Sequence, residues 1–455
     1  MSTNTGVISL FDIIGPVMIG PSSSHALGAA KIGFEACKLL KEKILHIDLT
    51  LINSFADTGK GHKTDLALLG GCLGINPGDE ALRSAFEIAN QQQISYRIDW
   101  QSNKIEYHPN TAIVNLTGET KKVTLVGYSV GGGRIEIAAC EIVDTKNNQR
   151  LEENYCQFSA YKGGVTTRDT YLSWQSLINK LDNADDLIDQ VVKTECQTKK
   201  ISHEQANLQL EEIWLTMKSA AKKSFKDRSK SSSGLTGGDA SLLTFNHRSL
   251  LSPVMHLSMV YGIGIAEYNA KMGKVVACPT AGSCGIVPGI LIAIQEQLNM
   301  DDRLMKRALV IAGAIGLTTA RQVELAGAVA GCQAEIGVAG AMAAAAAVYV
   351  LGGSLKQIEN AACLVLSNLL GLTCDPIAGL VEVPCVTRNG ATIAMVWGAI
   401  EMALSQIDYL IPYDEVVNVM KQVGEEMSVK YRETSQAGLA KTPTACQFCQ
   451  RCFKL

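Results

Sequence analysis

The chain has 455 residues, more than one compact core normally holds, and this length predicts two or three domains. Hydrophobic residues make up 47% of the chain and charged residues 19%, which is typical of a rather apolar globular protein. The net charge is −3 and basic residues occur only in short pairs, so the sequence gives no electrostatic support for a nucleic acid or an anionic membrane as partner.

The N-terminus has no basic segment followed by an uninterrupted apolar stretch, so no secretory signal is predicted and we expect a cytoplasmic protein. Its fourteen cysteines are then predicted to be reduced thiols or metal ligands. The longest uncharged run, residues 336–355, reaches spanning length but consists largely of Ala and Gly. Because lipid-facing spans favour Leu, Ile and Phe, we expect a helix buried inside a helical domain.

The N-terminal part, residues 1–165, is predicted to be an α+β domain. P-S-S-S-H at 21–25 precedes apolar residues at helical spacing, which places Ser22, Ser23 and Ser24 at a helix N-terminus. Serines there cap free amides, and the same amides can bind a carboxylate or a phosphate. Capping explains any one serine, but three serines followed by His25 favour a substrate-binding loop.

Residues 44–52 alternate apolar and polar side chains, which predicts a half-buried strand. The segment 54–65 contains two glycines and is predicted to be a loop before a helix at 66–72. It carries Lys60 and His62, and since nearby lysines disfavour the charged imidazole, His62 is predicted to be a neutral base at pH 7. An exposed, solvated loop is the alternative.

Four short strands are predicted after this loop, and three glycines at 131–133 predict a tight turn rather than a phosphate cradle. The strands are expected at residues 94–98, 111–116, 122–128 and 134–142.

The remainder, residues 166–455, is predicted to be a large all-α catalytic domain. Helices are expected at 174–200 and 204–225, followed by a flexible loop at 229–239 that can fold over an active site. From residue 247 the pattern is almost wholly helical, and its many Ala and Gly residues predict closely packed helices.

Three cysteines of this domain are candidate ligands of an iron–sulfur cluster. Cys374 and Cys385 lie beside prolines and are predicted to be on loop backbone, and Cys332 follows a glycine. Three thiolates can hold three irons of a 4Fe–4S cluster and leave one iron open. The alternative is that each cysteine packs as a small buried hydrophobe.

The C-terminal tail carries Cys446, Cys449 and Cys452 at C-x2-C-x2-C spacing. By spacing alone this is a better ferredoxin-like triad than the three loop cysteines, but it lacks the further C-P of that pattern and lies at a terminus that is predicted to fray. The tail is a second candidate cluster site or a redox-active or crosslinking appendage.

The residues around the three loop cysteines resemble the iron–sulfur-dependent L-serine dehydratases, and the resemblance runs nearly end to end. The α+β part resembles the β domain of that family and the helical part its α domain, fused in one chain. The matching segments are P-S-S-S-H (21–25), T-G-K-G-H-K-T-D (58–65), Y-S-V-G-G-G (128–133), P-T-A-G-S-C-G-I-V-P (279–288), G-C-Q-A-E-I-G-V-A (331–339), G-L-T-C-D-P (371–376), V-P-C-V-T-R-N (383–389) and R-E-T-S-Q-A-G-L-A (432–440).

The resemblance implies β-elimination of water from L-serine, giving pyruvate and ammonia. It implies a 4Fe–4S cluster on Cys332, Cys374 and Cys385, whose open iron binds the substrate's hydroxyl and carboxylate. His62 is the first candidate for the base that removes the α-proton and His25 the second. We therefore expect the side chains of His25 and His62 to reach the metal in the helical half.

Other residues are assigned to the substrate or its charge. Lys60 is expected to act on the charge state of His62 or on the carboxylate, and Arg388 to neutralise cluster or substrate charge, with an ordinary ion pair as the alternative for Arg388. The predicted substrate-binding residues are Ser22, Ser23, Ser24, Thr64, Thr280, Gly282, Ser283 and Arg388. We further expect a homodimer.

Two features depart from single-chain relatives. Ser367 and Asn368 replace an acidic–histidine pair, so no acid–base role is expected there. In some relatives a terminal cysteine occupies the open iron until substrate displaces it, and Cys446 is the matching candidate, although it is not terminal here.

Two rival functions follow from the same residues. An L-cysteine desulfidase would eliminate sulfide in place of water. A non-catalytic iron–sulfur redox sensor would use the three tail cysteines instead of the loop cysteines.

Overall fold

The computed structural model describes residues 8–104, 106–147, 149–155, 173–245 and 249–453. The elements before residue 156 are, in chain order, α1 (Leu10–Ile13), β1 (Val17–Ile19), α2 (Gly28–Leu40), β2 (Ile44–Asn53), α3 (Ser54–Asp57), α4 (Gly59–His62), α5 (Thr64–Cys72), α6 (Ala85–Gln91), β3 (Ser95–Gln101), β4 (Asn110–Gly118), β5 (Lys121–Ser129), β6 (Ile135–Asp144) and β7 (Gln149–Tyr155). Those after residue 172 are α7 (Trp174–Ile178), α8 (Ala184–Lys199), α9 (His203–Lys226), α10 (Asp239–Phe245), α11 (Pro253–Ala270), β8 (Lys274–Val276), α12 (Ile286–Leu298), α13 (Asp302–Ala320), α14 (Gly327–Ala330), α15 (Ile336–Val350), α16 (Leu355–Asn368), α17 (Cys385–Leu404), α18 (Tyr413–Glu426) and α19 (Pro443–Phe453).

The chain divides into two compact units, and neither is continuous in sequence. The sheet unit comprises Met18–Gly164, Asp375–Val381 and Val429–Leu455. The helical unit comprises Met1–Val17, Val165–Cys374 and Glu382–Ser428. These compact units differ from the predicted domains 1–165 and 166–455 in three segments: Met1–Val17, Asp375–Val381 and Val429–Leu455. Packing explains the difference, since α1 packs against α13, and α19 packs against a turn within Asp375–Val381.

A six-stranded sheet in the order β3-β2-β4-β5-β6-β7 forms the body of the sheet unit. Strands β2 and β3 are parallel, and the other neighbours are antiparallel. The alternation predicted for β2 is confirmed, because Ile47, Leu49 and Leu51 are buried on the face that α2 and α5 cover. The α+β prediction for this half is confirmed.

The turn after β5 is also confirmed. Gly131, Gly132 and Gly133 all have positive φ, a conformation that side chains with a Cβ rarely adopt, so the triple glycine forms a tight turn before β6. Strand β7, in contrast, has no counterpart among the predicted strands.

The segment predicted to be a loop at 54–65 is helical instead. Helices α3 and α4 are single turns separated by Thr58, and the left-handed Lys63 ends α4 before α5 begins. Local i to i+4 hydrogen bonds explain the difference: the Thr58 amide donates to the Ser54 carbonyl at 3.1 Å, and the His62 amide donates to the Thr58 carbonyl at 3.1 Å. The two glycines of α4 serve packing, since a Cβ on Gly61 would lie 2.4 Å from the Gly379 carbonyl oxygen.

The helical unit is built around α15, whose Ala-rich surface packs against α12, α13, α16 and α17. Small side chains allow the close approach, because a Cβ on Gly340 would lie 2.6 Å from a methyl group of Val365. The prediction of a large all-α domain is confirmed. The helix predicted from the uncharged run 336–355 ends at Val350, before Gly352 adopts positive φ.

Among the residues that the structure describes, two helical segments have the length and apolar composition needed to cross a membrane: Ala281–Leu298 and Cys332–Val350. Of these residues, 72% and 89% respectively are buried inside the protein. This burial agrees with the expectation of core helices, because the apolar surface is covered by protein.

The contact between α2 and α5 generates a test of the sheet unit. A Cβ on Gly71 would lie 2.0 Å from the Ala30 carbonyl oxygen, where the backbone cannot yield. We expect Gly71→Ala to lower the free energy of unfolding by roughly 1–3 kcal/mol, measured by urea denaturation. The control is Gly398→Ala, at an exposed position in α17 with no atom within 4 Å, which should raise stability by about 0.5–1 kcal/mol. Equal effects of both variants would contradict the packing argument.

Candidate active site

A histidine cluster, which we define as His25, His62 and Glu433, lies within the sheet unit. His25 comes from the π-helical turn Ser23–Leu27, His62 ends α4, and Glu433 lies in the segment that leads to α19. All three side chains are buried, and the two imidazole rings stack with centroids 4.3 Å apart. The three residues offer ligand atoms within 4.8 Å of one another.

The hydrogen bonds of His25 define which nitrogen carries its proton. Thr58 Oγ1 donates its one hydrogen to the Ser54 carbonyl at 2.9 Å, so it can only accept from His25 Nε2 at 3.2 Å. His25 is therefore protonated on Nε2, which also lies 3.0 Å from Ser54 Oγ, and its Nδ1 accepts from Ser24 Oγ at 3.0 Å. Burial lowers the pKa of His25 from 6.5 to about 3, an effect that Glu433 opposes and His62 reinforces. The ring is neutral at physiological pH.

His62 has the opposite tautomer. Its Nδ1 lies 3.0 Å from the Thr58 carbonyl oxygen, which can only accept, so Nδ1 carries the hydrogen. Nε2 is then the atom that can take a proton. It lies 3.1 Å from Glu433 Oε1 but makes no hydrogen bond among the described residues, so the carboxylate oxygen lies to the side of the direction in which a ring N–H would point.

The predicted serines surround His25. Ser22 Oγ accepts from the His25 amide at 3.1 Å and lies 3.2 Å from Ser24 Oγ, so both hydroxyls orient the histidine. Ser23 is buried in the same turn. The prediction that these serines begin a helix is confirmed in outline, because the π-helical turn leads directly into α2.

The other two predicted residues of this half differ in burial. Thr64 is buried, and its hydroxyl has no hydrogen-bond partner in the part of the chain that the structure describes. Lys60 is exposed, with its Nζ 5.7 Å from the centre of the Trp100 ring. The charged group beside the His62 ring is Glu433, whereas the sequence predicts that lysines lie there.

A thiol group, which we define as Cys332, Glu335 and Cys374, lies within the helical unit and could hold a metal ion. Both thiols are buried. Gly327 leaves room for them, since a Cβ there would lie 2.9 Å from Cys374 Sγ and 2.7 Å from Glu335 Oε2. Two of the three predicted cluster cysteines are thus brought together, with a carboxylate that the sequence analysis did not select.

Cys385 does not belong to that 4.8 Å group and is half-buried. The prediction that it lies on loop backbone is wrong, because it is the first residue of α17. Pro384 precedes it, and a proline ends one segment without preventing a helix from starting after it.

Three polar side chains connect the cysteine segments. Buried Gln333 accepts from the Gly371 amide at 2.9 Å and donates to the Met420 carbonyl, which links the segment of Cys332 to that of Cys374. Arg388 Nη1 donates to the Thr373 carbonyl at 2.8 Å. Asn389 donates to the Cys385 carbonyl at 2.9 Å within α17 and so stabilises the first turn of that helix.

The predicted substrate turn, Thr280 to Ser283, is part of the same arrangement. Asn389 donates to the Gly282 carbonyl at 2.8 Å and accepts from the Gly285 amide at 3.0 Å. The hydroxyls of Thr280 and Ser283 are buried and 3.2 Å apart. The turn is therefore fixed directly to the helix that Cys385 begins.

The remaining predicted positions lie at helix ends. Ser367 and Asn368 close α16 by donating to the Leu364 carbonyl. Cys446 lies in α19 and is half-buried, and α19 packs against the turn Ile377–Gly379. Cys452 also belongs to α19.

Two buried carboxylates, those of Glu382 and Glu267, accept hydrogen bonds from the loop 229–239. Glu382 Oε2 accepts from Ser231 Oγ at 2.6 Å and from Ser233 Oγ at 2.7 Å. Glu267 accepts from the Asp239 amide at 2.7 Å. Because Glu382 lies three residues before Cys385, this loop is connected to the cysteine segment.

Two family models together match most of the chain. The model described as "Serine dehydratase beta chain" matches residues 9–139, and "Serine dehydratase alpha chain" matches residues 182–440. The protein named "L-serine dehydratase 2" of Escherichia coli is 30% identical over 97% of this chain and 100% of its own length. "L-serine dehydratase" of Streptomyces coelicolor is 31% identical over 96% of this chain and 100% of its own length. "Probable L-serine dehydratase, alpha chain" of Bacillus subtilis is 46% identical over 49% of this chain and 75% of its own length.

The low pKa of His25 predicts how stability depends on pH. Between about pH 6.5 and pH 3 the unfolded chain binds a proton on this residue and the folded chain does not, so stability falls as the pH drops through this window. The slope contributed by one such group is at most about 1.4 kcal/mol per pH unit. We expect His25→Gln to reduce the loss between pH 7.5 and 5.5 in urea denaturation. Exposed His203→Gln is the control, and an unchanged slope in His25→Gln would contradict the assignment.

Proposed function

Because the chain belongs to the serine dehydratase family, we propose that it is an L-serine ammonia-lyase that eliminates water from L-serine and releases pyruvate and ammonia. It is an enzyme of the dehydratase type, as its full-length relatives are named. The observation that supports L-serine as the substrate is the match to relatives named L-serine dehydratase over 95–97% of the chain. The buried histidine cluster and thiol group supply the chemistry that this reaction needs.

We assign a 4Fe–4S cluster to Cys332, Cys374 and Cys385. The proximity of two buried thiols, the space left by Gly327 and the third thiol at a helix N-terminus support this assignment. When bound, a cluster with one iron lacking a cysteine ligand supplies a Lewis acid for the substrate's hydroxyl group. The chain's own residues then have to bind and orient the amino acid and remove its α-proton.

His62 is the proposed base, through its Nε2 atom. The Thr58 carbonyl keeps the hydrogen on Nδ1, so Nε2 is available to accept the α-proton. His25 remains neutral and stacks on His62, which makes it a positioning residue in this proposal. General-base catalysis of this kind contributes roughly 10²–10⁴-fold to a rate.

The substrate contacts are also proposed. Thr64 supports this assignment, because a buried hydroxyl without a partner among the described residues gains from a hydrogen bond to a ligand. Thr280, Gly282 and Ser283 are proposed to receive the carboxylate. Arg388, which donates to the Thr373 carbonyl, is assigned to stabilising the cysteine segment and its negative charge. Ser22 and Ser24 act through His25.

Cysteine substitutions test the cluster. We expect anaerobically purified protein to contain iron and sulfide and to form pyruvate from L-serine. Cys332→Ser, Cys374→Ser and Cys385→Ser should each lower iron content and reduce pyruvate formation at least about 100-fold, since each removes one ligand. Cys363→Ser, a buried cysteine of α16, is the control and should keep both.

Two outcomes would contradict the proposal. Bleaching by substitutions of Cys446, Cys449 and Cys452, with the loop-cysteine variants unchanged, would indicate a redox sensor that uses the tail. Faster turnover of L-cysteine than of L-serine by one preparation would indicate a desulfidase.

The tail generates a separate prediction. We propose that Cys446 occupies the open metal position before substrate arrives, supported by the packing of α19 against the turn Ile377–Gly379, which begins three residues after Cys374. Truncation after Thr444, and Cys446→Ser alone, should then abolish any lag in pyruvate formation and change the absorbance of the resting protein.

Cys449→Ser is the matched control for Cys446→Ser, because it removes a thiol one turn further along the same helix. An unaltered lag and spectrum in Cys446→Ser would rule out this role for the tail.

A further inference from the structure

The ring of the proposed base, His62, has no contact with solvent. The ring is fully buried, and a charged group without water or a counter-charge is strongly disfavoured there. His25, stacked on the same ring, demonstrates the cost, since burial is the main cause of its low pKa. A base in this position needs an anion close by, because accepting a proton makes it a cation.

Glu433 is placed to provide that anion without blocking the base. Its Oε1 lies 3.1 Å from His62 Nε2 but 3.7 Å from His25 Nδ1. The oxygen lies off the proton-accepting direction of Nε2, which makes no hydrogen bond among the described residues. A carboxylate beside the nitrogen stabilises the imidazolium while its lone pair stays directed elsewhere.

The backbone at Glu433 has an uncommon conformation, and the segment that follows it is held by hydrogen bonds. Glu433 has φ of +58°, a left-handed conformation that is uncommon for residues with a Cβ and often occurs at functional sites. The segment is anchored on both sides of the next turn, because Ser435 Oγ donates to the Pro376 carbonyl at 2.7 Å and the Leu439 amide donates to Asp375 at 2.7 Å. The carboxylate is thereby fixed beside the ring.

A metal ion shared by the cluster is the alternative explanation for these three side chains. The ring planes differ by only 23° and the centroids are 4.3 Å apart. Imidazole lone pairs lie in the ring plane, so two stacked rings direct theirs along nearly parallel planes. One ion cannot lie in both planes at bonding distance, about 2.0–2.1 Å for zinc, and the arrangement favours a proton over a metal.

We infer that Glu433 is a positioning residue for the proposed base: it stabilises the imidazolium that His62 becomes when it takes the α-proton of the substrate. The α C–H electron pair goes to the developing double bond, the hydroxyl leaves with its own bonding pair, and the proton stays on His62 Nε2 beside Glu433. The inference rests on the proposed function and adds the residue whose charge lies beside the proton that His62 takes.

The test uses full-length, cluster-loaded protein and three variants. Glu433→Gln keeps the shape and removes the charge, so kcat for pyruvate formation should fall about 100-fold while KM changes less than about threefold. The kinetic isotope effect with L-serine deuterated at the α-carbon should increase, since proton removal becomes slower than the other steps. Glu425→Gln, on the exposed side of α18, is the matched control and should leave all three values unchanged.

Chemical rescue separates a charge from a structural role. Glu433→Ala leaves space for a small carboxylate, so added formate should restore part of kcat in this variant and none in Glu433→Gln. Iron content and unfolding temperature should match the wild type in Glu433→Gln.

Three outcomes would overturn the inference. They are an unchanged kcat and isotope effect in Glu433→Gln, a loss of activity that follows a loss of iron or stability, and one equivalent of a metal other than iron that disappears in Glu433→Gln. Wild-type protein that forms no pyruvate would instead overturn the proposed function, so the two failures are distinct.

Discussion

Thr58 determines the chemistry of both histidines through two of its atoms. Its carbonyl can only accept, which places the hydrogen of His62 on Nδ1 and leaves Nε2 to take a proton. Its hydroxyl donates to the Ser54 carbonyl and therefore accepts from His25, which places the hydrogen of that ring on Nε2. One residue at the junction of α3 and α4 thus gives two stacked rings opposite tautomers.

Segments of the sheet unit that are distant in sequence pack against one another near the histidine cluster. Gly61 and Gly379 lack side chains where α4 meets the segment Asp375–Val381, and a Cβ on Gly379 would lie 3.0 Å from Thr58. Asp375, in that segment, accepts from the Leu439 amide and so holds the part of the chain that carries Glu433. These contacts bring together segments that are distant in sequence, and Glu433 in one of them lies 3.1 Å from His62 Nε2.

Local periodicity explains what could be predicted from the sequence. Strand β2 and helix α9 were found because apolar spacing repeats within each element, and the buried α15 because a run of Ala and Gly is too poor in Leu and Phe to face lipid. The helical turns at 54–62 were missed because two glycines resemble a loop, whereas here glycine permits close packing. The start of α17 was missed because the prolines were given more weight than the residues that follow them.

Glu433 could not be found from local patterns, since it lies far from His62 in sequence and only the fold brings their side chains together. The one available signal was its charge within R-E-T-S-Q-A-G-L-A, a segment already recognised as part of the family resemblance. Proximity in sequence instead predicts the lysines near His62 as its charged neighbours. Burial decides between the two, since exposed Lys60 remains solvated while the buried carboxylate acts at 3.1 Å with little screening.

The two candidate centres use different polar groups for a common physical reason. In the proposed function the cysteine ligands and their cluster gather negative charge, and the side chains that hydrogen-bond to the cysteine segments include the neutral amides Gln333 and Asn389 and the cation Arg388. Carboxylates are present there as well, since Glu335 belongs to the thiol group and Glu382, three residues before Cys385, accepts from Ser231 and Ser233. In the proposed function the histidine cluster has the reverse requirement, because the proposed base, His62, becomes a cation when it takes a proton. A single carboxylate there, placed beside the accepting atom rather than in front of it, balances that charge and leaves the proton's path clear.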